Sequence, residues 1–485
     1  MAARTAHAYD DALGALDAVA TTEAIRSGDL AAEEAVAAAI RRATQLEPAI
    51  NAVATADFER ALERARRSPA GAFSGVPTFI KDMIDVAGLP TQWGCEGLLN
   101  ARPASTTGGI ARQVEDMGLI SLGKSSMPEF GLTHSSEFAY GSPTRNPWNL
   151  DHGTGGSSSG AGALVAAGVA PIAHGCDGGG SVRLPAACCG LVGLKPTWGR
   201  LLPHPEEKLL PIRLTVDGVL TRSVRDTALF FAEAEQRYRN PKLPPMGRVV
   251  EPLRRRLRIG VVMQSPVGVP LDAPTQQTLD STIKLLEELG HRVEPARPPI
   301  TAELVADFTR YFQVLAFALT DGGRVQFGRA FEKAKTTEFT RGLAASFKRQ
   351  PHKFPGSVIR LRRAAAQFRA SFTDIDVVLS PASTTLAPPI GYLSATLPFE
   401  TLFQRVADWL MITPVANVAG TPSISLPLGH DEQTNLPVGM LFDAARGQDA
   451  LLLHLALELE QARPWRSLAG SAPTRQTDQQ DVDNS

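Results

Sequence analysis

Between residues 155 and 186 the chain is built almost wholly from glycine, serine, alanine and small aliphatic side chains. Gly155-Gly156-Ser157-Ser158-Ser159-Gly160 opens the stretch and Asp177-Gly178-Gly179-Gly180-Ser181-Val182-Arg183-Leu184-Pro185-Ala186 closes it. A Gly/Ser hexamer taken alone reads as a flexible linker. The flank argues otherwise: residues 161–170 are small and apolar, as a tightly packed core helix requires. A short strand-like run follows over Val169–His174, weakened by Pro171. Three glycines ahead of Ser181 let the backbone take positive φ and approach a ligand closely. Successive N–H groups in such a turn can form an anion-binding nest, the hardware of an oxyanion hole. Two serines therefore sit in glycine turns at the ends of one buried segment. Neither has a histidine beside it in sequence to act as base, and a serine hydroxyl is a poor nucleophile until its proton is removed.

These residues resemble the signature of the amidase signature family, serine hydrolases with a Ser–Ser–Lys triad; Asp177, Ser181, Arg183 and Pro185 meet its constrained positions. Further family-like stretches occur in order: Gly75-Val76-Pro77 leading to Ile80-Lys81-Asp82, Gly123–Phe130, Pro143–Trp148, Gly193–Thr197, Asn417–Pro422 and Leu436–Met440. The resemblance spans roughly residues 12–465 and fades between 300 and 370. It implies Ser181 as the acyl-forming nucleophile, Ser157 as a bridging serine with a cis peptide bond, and Lys81 as the base. It implies that main-chain amides around Gly178, Gly179, Gly180 and Ser181 hold the oxyanion, and that Ser126 and Met127 lie in a segment lining the acyl pocket. Relatives acting on glutamine often carry Asn where Ser126 stands. The chemistry requires a neutral Lys81, hence a desolvated pocket; Asp82 and Asp85 would oppose that if they faced it. Arg183 and Asp177 read as supports of the nucleophile turn, and Lys195 as structural. Phe403 and Trp409 read as substrate contacts or packing.

Other motifs fall away on context. Gly156–Gly160 also fits Gly-x-Ser-x-Gly, but that elbow needs an apolar strand before it, and 145–152 suggests none. Ser281-Thr282-Ile283-Lys284 lies on an amphipathic helix ended by Gly290 and lacks the partner motifs of a Ser-x-x-Lys enzyme. The glycines at 153–160 have no phosphate-loop lysine. His134, His152 and His174 are not spaced as metal ligands, so no metal and no cofactor are expected.

Net charge of −1 gives no argument for nucleic acid or an anionic membrane. Four cysteines without Cys-x-x-Cys spacing fit small buried side chains in a reducing compartment. The start lacks the apolar run of a secretion signal, and no stretch offers ~20 uninterrupted apolar residues. A cytoplasmic location is expected. The segments read as a helical region over 1–70, a catalytic core of alternating strands and helices over 71–240, and a remainder over 241–470. That remainder holds a β–α–β unit near 257–294, helices over 303–372 and a strand at 376–381; a polar, disordered tail is expected over 471–485. The alternation indicates an α/β fold; a single large mixed sheet flanked by helices is what the resemblance implies. The expected activity is hydrolysis of a small-molecule carboxamide through a serine acyl-enzyme. Esters or carbamates, an amidotransferase subunit and a catalytically inactive binding protein stay open as alternatives, and so does a homodimer.

Overall fold

The computed structural model describes residues 3–67, 69–204, 210–296 and 301–468. The tail expected to be disordered lies outside them. An eight-stranded mixed sheet forms the centre, and helices flank it in one α/β domain. The strands in chain order are β1 (Val53–Ala56), β2 (Pro77–Lys81), β3 (Ile120–Ser125), β4 (Arg145–Asn146), β5 (Asn149–Gly153), β6 (Ile172–Asp177), β7 (Val192–Lys195), β8 (Val216–Thr221), β9 (Arg258–Val261), β10 (Arg292–Pro295), β11 (Val377–Pro381), β12 (Ser423–Asp431) and β13 (Leu436–Ala444). The large sheet runs β10-β9-β11-β13-β12-β7-β8-β6. Its β10, β9 and β11 are parallel; every later pairing is antiparallel. A second sheet, β1-β3-β2, pairs β2 parallel to β3.

Period-two alternation divides the core. Ile259, Val261, Val377, Leu379, Ile424, Leu426, Met440 and Phe442 point into one cluster; Leu441, Ala173 and Leu220 point into another. The β–α–β unit forms as read. Asp272 caps the helix Ala273–Glu288 by accepting from Thr275 N, Pro274 occupies its first turn, and Gly290 ends it at φ +85°.

Three readings shift. The N-terminal region is not wholly helical: β1 separates the helix Ala32–Ile50 from Phe58–Arg66 because its edge pairs with β3. The strand expected over Val169–His174 begins instead after Pro171 and runs to Asp177, where every residue can join the ladder to β8. Strands do precede Gly156: β4 and β5 form a hairpin of their own, paired to neither large sheet, so it is not the core strand an elbow requires.

Candidate active site

The site is assembled where strands stop. β2 ends at Lys81, β6 ends at Asp177, and the two serine turns lead into the short buried helices Ser159–Ala166 and Arg183–Cys189. Small residues let these turns close up. A Cβ on Gly160 would stand 2.3 Å from Ala52 O, and one on Gly180, at φ +126°, would stand 2.7 Å from Thr413 Oγ1. The Gly156–Ser157 peptide bond is cis.

Lys81 is buried, and its Nζ lies 2.7 Å from Ser157 Oγ, 3.0 Å from Ser158 Oγ and 3.1 Å from Cys176 O. No carboxylate of the described residues touches it. Burial draws the amine down to about 8, against the field of Asp177 and Asp217. Nζ can donate to all three oxygens; deprotonated, it keeps two N–H groups for Cys176 O and Ser158 Oγ and a lone pair able to accept from the Ser157 hydroxyl. The feared carboxylates are otherwise engaged. Asp82 sits 3.1 Å from Lys124 Nζ, and Asp85 accepts from Thr91 Oγ1 at 2.6 Å. Ser158, which the sequence reading passed over, touches the lysine as directly as Ser157 does; within a run of three serines only the backbone path decides which hydroxyls face inward.

Ser181 lies in a turn built around Asp177. The Asp177 carboxylate accepts from Gly180 N (2.8 Å), Val182 N (3.0 Å) and Arg183 Nε (3.0 Å). Asn417 Nδ2 donates to both Asp177 O and Oδ1 at 2.9 Å. Burial would raise this carboxyl, but Arg183 and these donors hold it well below the usual carboxylate range. Arg183 is thus a support, as read, with Asn417 Oδ1 (2.7 Å) and Ser423 Oγ (3.2 Å) as its other acceptors. One expectation changes. Gly180 N–H is spent on Asp177, whereas among the described residues the N–H groups of Gly178, Gly179 and Ser181 donate to no protein acceptor. The nest therefore presents 178, 179 and 181, while Gly180 provides the backbone angle. Ser158 N–H donates to Ser181 O (3.2 Å), which joins the two serine turns, and Ser181 Oγ makes no hydrogen bond among the described residues.

An apolar cavity lies against Phe308 and Phe312, the rings nearest Gly179, and is lined also by Leu132, Phe403, Met411 and Ile412; no Asp, Glu, Lys or Arg lines it among the described residues. Phe308 approaches Gly179 closely enough that a Cβ there would meet its ring at 3.2 Å. His134 lines the same cavity; burial pulls its imidazole down to about 4. Its Nδ1 lies 3.1 Å from Gly156 O, an acceptor only, so Nδ1 carries the proton. Met127 is buried beside Gly131 and Ser157 rather than in the cavity wall, and Ser126 Oγ pairs with Thr144 Oγ1 at 2.8 Å. Phe403 lines the cavity; Trp409 is packing, with Nε1 donating to Leu386 O. Lys195 is buried and donates to Pro196 O; burial, then Arg183, pulls it down to about 7. His174 is not idle: Lys81 N–H donates to its Nδ1 (3.3 Å), leaving Nε2–H to donate to Asp217 Oδ1 (3.0 Å).

A buried lysine, an arginine-braced glycine turn and two joined serine turns meet at one place, as suits a hydrolase, and the comparisons give the family. The Amidase family model matches residues 34–453. Putative amidase AmiC of Mycobacterium tuberculosis is 48% identical over 463 residues, covering 95% of this chain and 97% of that protein. The structure of 6-aminohexanoate cyclic dimer hydrolase complexed with substrate superposes with a TM-score of 0.84 at 30% identity, over 95% of this chain and 98% of that one. A bacterial aryl acylamidase of the amidase signature enzymes gives a TM-score of 0.82 at 25% identity, over 93% and 96%. The chain belongs to the amidase signature family. It is an amidase, a hydrolase of carbon–nitrogen bonds. No helix among the described residues is long and apolar enough to cross a membrane.

Proposed function

We propose that this amidase hydrolyses a small carboxamide with an uncharged, apolar acyl portion, using Ser181 as nucleophile, Ser157 as proton bridge and Lys81 as base. The observation that carries the reading is the Lys81 Nζ to Ser157 Oγ contact of 2.7 Å, made by a lysine that no carboxylate of the described residues touches. Lys81 takes the proton of Ser157 and Ser157 takes that of Ser181 as Ser181 Oγ bonds to the substrate carbonyl carbon. The carbonyl oxygen becomes an oxyanion before the N–H groups of Gly178, Gly179 and Ser181. Losing one such donor typically raises a barrier by about 2.7–4 kcal/mol. The proton returns through Ser157 to the substrate nitrogen, the C–N bond breaks, and the amine leaves. Water then repeats the sequence on the acyl-enzyme and frees the acid. The apolar cavity beside Gly179 supports the acyl preference, because burying a charged group there would go uncompensated.

The test is covalent. A sulfonyl fluoride or fluorophosphonate with an apolar arm should modify Ser181 alone, read by peptide mass mapping, and apolar amides should protect it. Modification of Ser157 in place of Ser181, or turnover that survives complete labelling, would overturn the assignment. A matched ester turned over with far higher kcat/KM than the amide would move the substrate class while leaving the residues in their roles.

A further inference from the structure

Behind the catalytic lysine lies a group of side chains that the amide chemistry does not use. Cys176 on β6 and Asp217 on β8 are direct cross-strand partners, so their side chains share one face of the sheet. His204 reaches the same point from the loop between β7 and β8. One ligand atom from each of the three, Sγ, a carboxylate oxygen and a ring nitrogen, lies within 4.8 Å of the others. Cys176 and Asp217 are fully buried.

The polar pairing here is incomplete. Asp217 Oδ1 is satisfied by His174 Nε2–H, but Oδ2 makes no aligned hydrogen bond. His204 Nε2 stands 2.8 Å from that Oδ2, also without an aligned hydrogen bond. His204 meets this buried oxygen as an ion pair off the hydrogen-bond axis, so the oxygen keeps a lone pair for a further partner. A second cavity, of about 780 Å³, opens onto both His204 and Asp217 and passes Asp85, Thr91 and Trp93. It supplies an approach from outside and room for a further ligand.

We propose that Cys176, His204 and Asp217 bind a divalent metal ion of zinc type, with the fourth position open to this cavity. Sulfur, imidazole and carboxylate are the donor types zinc takes, and three protein ligands with one open position is one of its two usual arrangements. His174 acts on the carboxylate as an orienting partner, holding Oδ1 so that Oδ2 faces inward, a role histidine–carboxylate pairs commonly play around metals. On binding, Cys176 loses its S–H proton and His204 the Nε2 proton it shares with Asp217 Oδ2, both to solvent, and sulfur and the ring nitrogen each donate an electron pair to the ion. One thiolate and one carboxylate then balance the two positive charges, so the site adds no net charge next to Lys81. The ion would tie the loop carrying His204 to β6 and β8, and through Asp217 and His174 to the main-chain N–H of Lys81.

The experiment uses the full chain, stripped with a chelator, desalted, and reloaded separately with Zn²⁺ and Co²⁺. Metal content after gel filtration should be one Zn²⁺ per chain for the wild type and for Cys188→Ser, whose thiol is buried elsewhere, and at blank level for Cys176→Ser and His204→Ala. The Co²⁺ form should show a thiolate-to-metal charge-transfer band that Cys176→Ser abolishes. His204 sits on a partly exposed loop, so its variant keeps the question open should Cys176→Ser fail to fold. Blank-level zinc in the wild type, or equal zinc in the wild type and in the His204→Ala variant, would overturn the proposal; neither result bears on labelling of Ser181.

Discussion

Lys81 and Lys124 lie on adjacent strands, each almost wholly buried, and have opposite surroundings. Lys124 has a carboxylate, Asp82, 3.1 Å away, with Thr91 Oγ1 at the same distance. Lys81 has two hydroxyls and a carbonyl. The comparison shows how an interior amine becomes available as a base. Each carboxylate near Lys81 is committed to another donor: Asp82 to Lys124, Asp177 to Arg183, Asp217 to His174. A paired ammonium keeps its proton; an unpaired one, taken from water, gives it up more readily.

Substitution of each lysine should separate the two behaviours. Lys81→Met should lower kcat by about 10²–10⁴-fold, the usual range for a general base, with Tm near that of the wild type; Ser181→Ala should cost more, at least about 10⁴-fold. Turnover within tenfold of wild type in either pure variant would break the comparison. Lys124→Met should do the reverse, leaving Asp82 as a buried charge without its cation and lowering the free energy of urea unfolding by about 3–5 kcal/mol. Equal stability of the two lysine variants would show that pairing does not distinguish them.

The apolar cavity gives a smaller effect. Phe312→Ala should reduce kcat/KM for amides with bulky apolar acyl groups by about tenfold and leave acetamide-sized substrates little changed. A uniform loss across acyl groups would place the acyl portion elsewhere. The mildest effect comes from a carboxylate with no ion pair among the described residues, the mirror of Lys81. Asp226 is buried, caps a helix by accepting from Ala18 N (2.8 Å) and Val19 N (2.9 Å), and has Asp17 nearby. Burial, then Asp17, pushes it from 3.8 up to about 7. With the folded value above the unfolded one, the folded chain holds the proton more tightly. The stability this contributes is full below the unfolded value and is lost as pH rises through about 7. Asp226→Asn does not titrate, so its Tm should gain on the wild type between about pH 5 and pH 8 in calorimetry. A constant difference would show that Asp226 stays ionised throughout.

Much of the site could be read from local sequence because the geometry is local. Asp177 and Gly180 form one tight turn, and a turn needs its special residues at fixed offsets. The β–α–β unit showed itself through its amphipathic helix and the Gly290 that ends it, while the cap Asp272 and Pro274 emerged only with the structure. The cavity wall did not show itself. Phe308, Phe312 and Met411 are ordinary apolar residues from segments far apart in the chain, and only packing gathers them into one wall. β1 escaped because four residues on a sheet edge carry too little pattern to stand out between two helices. Gly180 was assigned with its neighbours because sequence cannot say which of three consecutive N–H groups a carboxylate will take.

From sequence alone came the residue types able to do the chemistry and the turns that hold them, since φ > 0 and close backbone approach admit few substitutes for glycine. Tertiary structure decided which charges meet. Lys81 stands apart from the carboxylates of the described residues, and Cys176, His204 and Asp217 converge from positions 176, 204 and 217, only because strand register and loop path put them there. Coulomb energy and desolvation depend on distances through space and on burial, and neither quantity is written in the order of the residues.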